Sequence, residues 1–272
     1  MSATISSIIA ICIIFVGTIL GSLFVFFIKK INDKVSSIIL GLSGGIMMAA
    51  AFFGLILPSI NESIASSIYN KGTNWLPPLI GFLVGALLLW GLDKLTPHIH
   101  LINGLEEGPD GKKKISNEMK FFLAVTIHNI PEGLSVGFAA GLALANPGDS
   151  SYTWAVLALA LGIAIQNIPE GLAVSVPLYS KGVSKSKSFL YGMFSGIVEP
   201  IAAGIGLLIA SNSGVVTPWL LAFAGGAMLY VILDDLIPES RKKGYEHFAL
   251  WSFIIGFAIM MILEVVFNQL TI

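Results

Sequence analysis

The sequence predicts an all-α integral membrane protein of eight transmembrane helices, and three observations carry that expectation. Of its 272 residues, 55 % are hydrophobic and only 11 % charged, with a mean hydropathy of +0.86. Soluble domains do not reach that balance. Apolar runs close to the ~20 residues that cross a bilayer recur at about 5–28, 36–58, 75–92, 121–145, 153–179, 187–210, 214–238 and 248–267. The basic residues fall into alternate connections between those runs, as in a chain that weaves through a membrane. Together the runs read as one transmembrane domain over residues 1–272.

The first run lacks the basic flank and small-residue cleavage site of a signal peptide, so it is expected to remain as a span. It carries the single cysteine, Cys12, which excludes an intrachain disulfide and a cysteine-based zinc cluster. Gly41, Gly44 and Gly45 in the second run, and Gly225 and Gly226 in the seventh, are small faces that let helices approach closely in lipid. No Lys-Ser/Thr pair follows them, so they are not phosphate loops. The long polar connection, about 95–119, contains His98, His100 and a turn signal at Pro109-Asp110-Gly111. Trp75, Trp90, Trp154, Tyr179, Trp219 and Trp251 stand near run ends, where interfacial aromatics belong. Glu62 and Glu264 also fall near run ends and are expected on solvated faces.

All of the 15 basic residues except Lys71 lie on one side of the alternation, in the connections around Lys29–Lys34, Lys94–Lys120, Lys181–Lys187 and Arg241–Lys243. Cytoplasmic loops accumulate Lys and Arg, so these loops are expected in the cytoplasm, with both termini outside the cell membrane. A net charge of −1 offers no basic surface for nucleic acid.

Chemistry concentrates in runs four to six. Residues 128–136 read HNIPEGLSV, and residues 166–174 read QNIPEGLAV. On a helix His128 and Glu132, four apart, share a face, and Asn129 reaches Glu132 from three residues before; Gln166, Asn167 and Glu170 repeat the arrangement. Pro131 and Pro169 each remove a backbone donor, so a kink with a free carbonyl is expected beside each polar group. Run six adds Glu199-Pro200. Each carboxylate costs ~2.5–3.5 kcal/mol at the bilayer centre, and no Lys or Arg lies in the middle of any run to pair with it.

A divalent cation would offset two of the three charges. Imidazole, carboxylates and amide oxygens suit a borderline transition ion, Zn²⁺ first, then Cd²⁺, Fe²⁺, Mn²⁺ and Co²⁺. Mg²⁺ and Ca²⁺ prefer all-oxygen sites. Met47 or Met48 offers a soft sulfur, although a methionine in a span is usually core filler. Plainer roles stand beside these: a hydrogen-bonded packing histidine at position 128, exposed loop histidines at His98 and His100, and helix-end solvation for Asp234 and Asp235.

On these residues the chain resembles the ZIP (Zrt-, Irt-like) family of metal transporters, in particular its bacterial GufA-like branch. The resemblance rests on HNIPEG, QNIPEG, Glu199, GIMMAAAFFGLILPS in the second run, LDKLTPHIH after the third and AMLYVILDDLIPES in the seventh. It implies a ZIP-like helical bundle with pseudo-symmetric repeats and a binuclear metal centre. By matching position, His128, Glu132, Gln166 and Glu170 would hold a first metal with Met47. Asn129, Glu132, Asn167, Glu170 and Glu199 would hold a second. It further implies ATP-independent zinc uptake into the cytoplasm by elevator-type alternating access, and a homodimer. Two departures stand out. Asn167 replaces an Asp found in some relatives, which implies a weaker second position or a single metal, and Gln166 replaces a His, which leaves selectivity open.

Metal is thus expected as substrate, with no resident cofactor and no enzymatic activity. An intramembrane zinc hydrolase is the rival reading, but HExxH is absent and both PEG segments spend their residues as ligands. A metal-selective channel shares every residue and differs only in kinetics.

Overall fold

In hydrocarbon every backbone polar group must find its partner within the segment or a closed sheet, and the apolar runs meet that demand as helices. The computed structural model describes residues 2–28, 30–66, 68–95, 98–99, 106–107, 117–180, 182–210, 215–242 and 244–269. The helices are α1 (Ala3–Leu23), α2 (Asp33–Ala49), α3 (Leu57–Ala65), α4 (Leu76–Leu95), α5 (Asn117–Ala145), α6 (Ser150–Ser180), α7 (Lys185–Ser195), α8 (Val198–Ala210), α9 (Thr217–Val231), α10 (Ile237–Ser240) and α11 (Glu246–Gln269).

Among the described residues, six stretches are long and apolar enough to cross a membrane: Ala3–Phe26, Asp33–Ala65, Ser150–Ser180, Lys185–Ala210, Thr217–Ser240 and Glu246–Phe267. Leu76–Leu92 is a shorter apolar helix, and α5 runs for 29 residues. In the long connection, His98–Ile99 pairs antiparallel with Glu106–Glu107. His100 and the Pro109-Asp110-Gly111 turn lie outside the described residues.

Local chemistry sets the helix ends. Ser2 Oγ accepts from the backbone N–H of Ile5 at 3.3 Å, and Asn32 Oδ1 from that of Val35 at 2.8 Å, capping α1 and α2. Just beyond α6, Gly182 adopts φ +98°, a conformation that glycine takes at little cost.

The prolines act differently from one helix to the next. α5 and α6 remain helical through Pro131, Pro169 and Pro177. The sixth apolar run instead breaks at Gly196-Ile197, between α7 and α8. Pro200 then sits in the first turn of α8, where no intrahelical donor is required. Two π-helical segments, Ala50–Ile56 and Ile232–Leu236, join α2 to α3 and α9 to α10, each shortly before a proline, Pro58 or Pro238.

Packing is organised as four close helix pairs: α1 with α6, α5 with α8, α2 with α11, and α4 with α9. Each pair is seamed by glycine. A Cβ on Gly17 would meet the carbonyl of Ala164, on Gly137 that of Ala203, on Gly45 that of Phe253 and on Gly85 that of Phe223. Such backbone-to-backbone approach is how helices associate where lipid removes the hydrophobic drive. The pairs form two groups, α1 with α5 to α8 and α2 with α3, α4 and α9 to α11, which meet where α2 packs on α6 and α5 on α9. Phe138, Ile163, Leu159, Met228 and Met260 fill the core between them. Leu83, Leu87, Leu208 and Ile262 point outward as bare apolar surface, as a lipid-facing wall requires, and Trp75 and Trp251 are exposed near helix ends.

Gly45→Val is expected to lower the thermal unfolding midpoint in detergent, with an overpacking cost of about 1–3 kcal/mol. The atoms it meets are backbone, which cannot rotate away. An unchanged midpoint would show that the α2–α11 seam is not close-packed.

Candidate metal centre

α5 and α6 run side by side through the middle of the bundle, and their paired PEG segments meet there with α1 and α8. Asn129, Glu132, Gln166, Asn167 and Glu199 are all buried, with at most 1 % of their surface exposed. Glu170 is partly buried. Glu132, Glu170 and Glu199 lie within electrostatic reach of one another. The structure therefore brings together six of the eight residues singled out by sequence.

His128 sits one turn before Glu132 in α5, but its side chain lies outside the described set. Met47 is buried in the apolar core on α2, the helix that faces α6. Among the described residues, no three His, Cys, Asp or Glu side chains are gathered closely enough to hold an ion by themselves. The cluster is a mixture of carboxylates and amides.

Its hydrogen bonds are directional. Asn129 Nδ2 donates to the Ser195 carbonyl at 3.0 Å and to Glu199 Oε1 at 3.2 Å. Asn167 Nδ2 donates to the Ile14 carbonyl at 3.0 Å and to Glu199 Oε2 at 2.6 Å. Thr18 Oγ1, on α1, donates to Glu199 Oε1 at 3.0 Å. Gln166 Nε2 donates to Glu170 Oε2 at 2.9 Å. Both N–H hydrogens of Asn129 and of Asn167 are spent, and acceptors remain. Asn129 Oδ1, both oxygens of Glu132, Gln166 Oε1 and Asn167 Oδ1 are buried with no hydrogen-bond partner. A buried acceptor without a donor costs about 1–3 kcal/mol, more when charged. Five in one layer call for a cation.

Sequence reading missed Thr18, whose position inside an ordinary apolar run gave no signal. It also misplaced Glu264. That side chain is only 6 % exposed, rather than on a solvated face, and its Oε1 has no partner. The reason is a cavity of about 310 Å³ between α3, α6 and α11, lined in part by Asn61, Glu62, Tyr152 and Glu264. Glu62 is half-buried there and accepts from the Tyr152 hydroxyl at 2.8 Å. Of the aspartate pair in the second π-helical segment, Asp235 is buried and Asp234 exposed, the latter accepting from the Tyr230 hydroxyl at 3.3 Å.

Fold and site together define a multi-pass helical membrane protein with a buried carboxylate and amide layer at the meeting of its central helices. A family model described as ZIP Zinc transporter matches residues 108–264. The chain is 36 % identical over 248 residues to the zinc transporter GufA of Myxococcus xanthus, covering 91 % of this chain and 93 % of that one. It is 33 % identical over 270 residues to the zinc transporter ZupT of Clostridium perfringens, covering 90 % of each. It is 34 % identical over 254 residues to the zinc transporter ZIPB of Bordetella bronchiseptica, covering 92 % of this chain and 77 % of that one. The chain belongs to the ZIP zinc transporter family.

Asn167→Asp replaces the donor at 2.6 Å from Glu199 by a second carboxylate. The metal-free protein is expected to lose several kcal/mol, on the order of 3–5 for an uncompensated buried charge, and zinc is expected to restore the thermal midpoint. A variant as stable as wild type without zinc would contradict this reading of the layer.

Proposed function

We propose that the chain is a secondary divalent-metal transporter that carries zinc into the cytoplasm, with Glu132 at the centre of its intramembrane binding site. The observation that carries this reading is the set of five buried acceptor oxygens on Asn129, Glu132, Gln166 and Asn167 that have no donor. Glu170 and, from its place one turn before Glu132, His128 complete the donor set, with Met47 as the neighbouring soft donor. Imidazole beside carboxylate and amide oxygen favours Zn²⁺, and admits Cd²⁺, Fe²⁺, Mn²⁺ and Co²⁺, over Mg²⁺ or Ca²⁺. The names of the relatives agree with zinc.

In this reading α4 and α5 join the six long apolar stretches to make eight crossings, with both termini outside the cell membrane. The basic loops place the connection at about 95–119 in the cytoplasm. The Glu62/Glu264 cavity then opens outward and receives the ion. A second cavity of about 220 Å³, lined by Ser36, Leu40, Ala173, Pro177, Lys30 and Lys242 among others, lies on the basic side. Glu170, Ala173 and Pro177 follow one face of α6 toward it, which makes it the way out. Movement of the α1/α5–α8 group against the other group, in a homodimer, supplies alternating access. The glycine seams lie within the groups, and the contacts between groups are sparser, which supports motion at that boundary.

Reconstitution in proteoliposomes tests the proposal. Glu132→Gln is expected to reduce zinc uptake at least ~10-fold while the protein stays folded and monodisperse, since a charged ligand is lost. Uptake near the wild-type rate would place the site elsewhere. Ohmic current would make the protein a channel, and loss of peptidase activity in Glu132→Gln with no flux in wild type would make it a hydrolase.

Protons compete with metal for the carboxylates, which bind only when ionised. Zinc affinity is therefore expected to fall as pH is lowered. Affinity that rises on acidification would overturn carboxylate ligation.

A further inference from the structure

Glu199 differs from Glu132 in one respect that changes its role. Glu132 has two bare oxygens, whereas both oxygens of Glu199 are bonded by donors from three other helices. Thr18 comes from α1, Asn129 from α5 and Asn167 from α6. Each asparagine amide has two N–H hydrogens and one carbonyl oxygen. In Asn129 one hydrogen goes to Glu199 and the other to the Ser195 carbonyl; in Asn167 one goes to Glu199 and the other to the Ile14 carbonyl. Neither amide is free to flip. Its Oδ1 is left bare and facing away from the anchor.

On the reading that this layer binds the transported metal, we propose that Glu199, held by Thr18, is a positioning residue rather than a metal ligand. Its negative charge orients Asn129 and Asn167 so that their Oδ1 atoms are presented to a single zinc ion.

The internal symmetry of the fold supports the assignment. Gly133 of α5 approaches the Glu199 carbonyl of α8, and Gly171 of α6 approaches the Thr18 carbonyl of α1 in the same way. Asn129 bonds the carbonyl four residues before Glu199, and Asn167 the carbonyl four residues before Thr18. Thr18 therefore occupies on α1 the place that Glu199 occupies on α8. One half of the bundle offers a carboxylate and the other a hydroxyl, and the two are joined by the 3.0 Å bond. A second metal in the layer would need free lone pairs on Glu199 and a carboxylate at position 167. Three of the about four lone pairs of Glu199 are taken by donors, and position 167 holds an amide.

Removing a group that orients ligands typically costs 10–100-fold in metal affinity. The test is zinc titration of purified full-length protein against a competing chelator, reading stoichiometry and Kd. Wild type is expected to bind one zinc per chain. Thr18→Val, which keeps the shape and loses the donor, is expected to weaken Kd about 10-fold or more with stoichiometry unchanged and the metal-free thermal midpoint near wild type; Thr18→Ser is expected to restore Kd. Glu199→Gln sets an amide nitrogen against one asparagine nitrogen and is also expected to weaken Kd at constant stoichiometry. Two zinc ions per wild-type chain, one of them lost in Glu199→Gln, would make Glu199 a ligand and overturn the proposal. So would an unchanged Kd in Thr18→Val. Both of those results leave the dependence of binding on Glu132 intact. Wild-type Kd retained in Glu132→Gln would instead sink the functional reading on which this proposal rests.

Discussion

The carboxylate of Glu132, buried among helices with neither oxygen bonded, is the constraint on which the rest of the structure depends. A desolvated charge without a partner is one of the most expensive groups a protein can hold, and no lysine or arginine lies in the middle of any apolar run to neutralise it. Removing the charge by mutation would spare the bundle that cost. What retains it is the cation it attracts, and the neighbouring amide oxygens left without donors multiply the attraction without adding repulsion. The glycine seams matter for the same reason. They bring α1 onto α6 and α8 onto α5 at backbone distance, so that Glu199 reaches both asparagines and Thr18 reaches Glu199 directly.

Geometry divides the polar residues into those that ligate and those that arrange. An amide that spends both hydrogens on fixed acceptors behaves as a rigid carbonyl, and rigidity is what a transition ion selects in a ligand. Transport adds the opposite demand, since the ion must leave. A layer with one ion, several neutral oxygens and few formal charges holds its cargo less firmly than one crowded with carboxylates. The two π-helical segments join α2 to α3 and α9 to α10, in the group that does not carry the layer. Such segments are common at functional positions because they widen the helix locally and re-aim side chains. One of them turns Asp235 inward.

Much of this was legible in the sequence. The apolar runs foretold the helices, because in lipid a backbone has almost no other way to satisfy its hydrogen bonds. The repeated NIPEG segments foretold the cluster, because i, i+3 and i+4 spacing leaves little freedom about which side chains meet on a helix. Other features depended on three-dimensional neighbours. Thr18 is an unremarkable residue in an apolar run, and only the crossing of α1 over α6 brings it to Glu199. Glu264 stands near a helix end, where sequence favours solvent, but Gly54 of the first π-helical segment lies against it, in a cavity shared with the start of α6. The helix break at Gly196-Ile197 has no signal of its own in the apolar run: the helix interrupts before Pro200, whose fixed φ suits the first turn of a new helix.

The central claim is that the bare oxygens around Glu132 converge on one transported ion. Anomalous scattering at the zinc edge from zinc-soaked crystals of the full chain tests it most directly. The account predicts a single strong peak beside Glu132, within bonding distance of Asn129 Oδ1, Asn167 Oδ1 or Gln166 Oε1, with Thr18 still bonded to Glu199. A peak coordinated by Glu199, or one with no contact to Glu132, would contradict it.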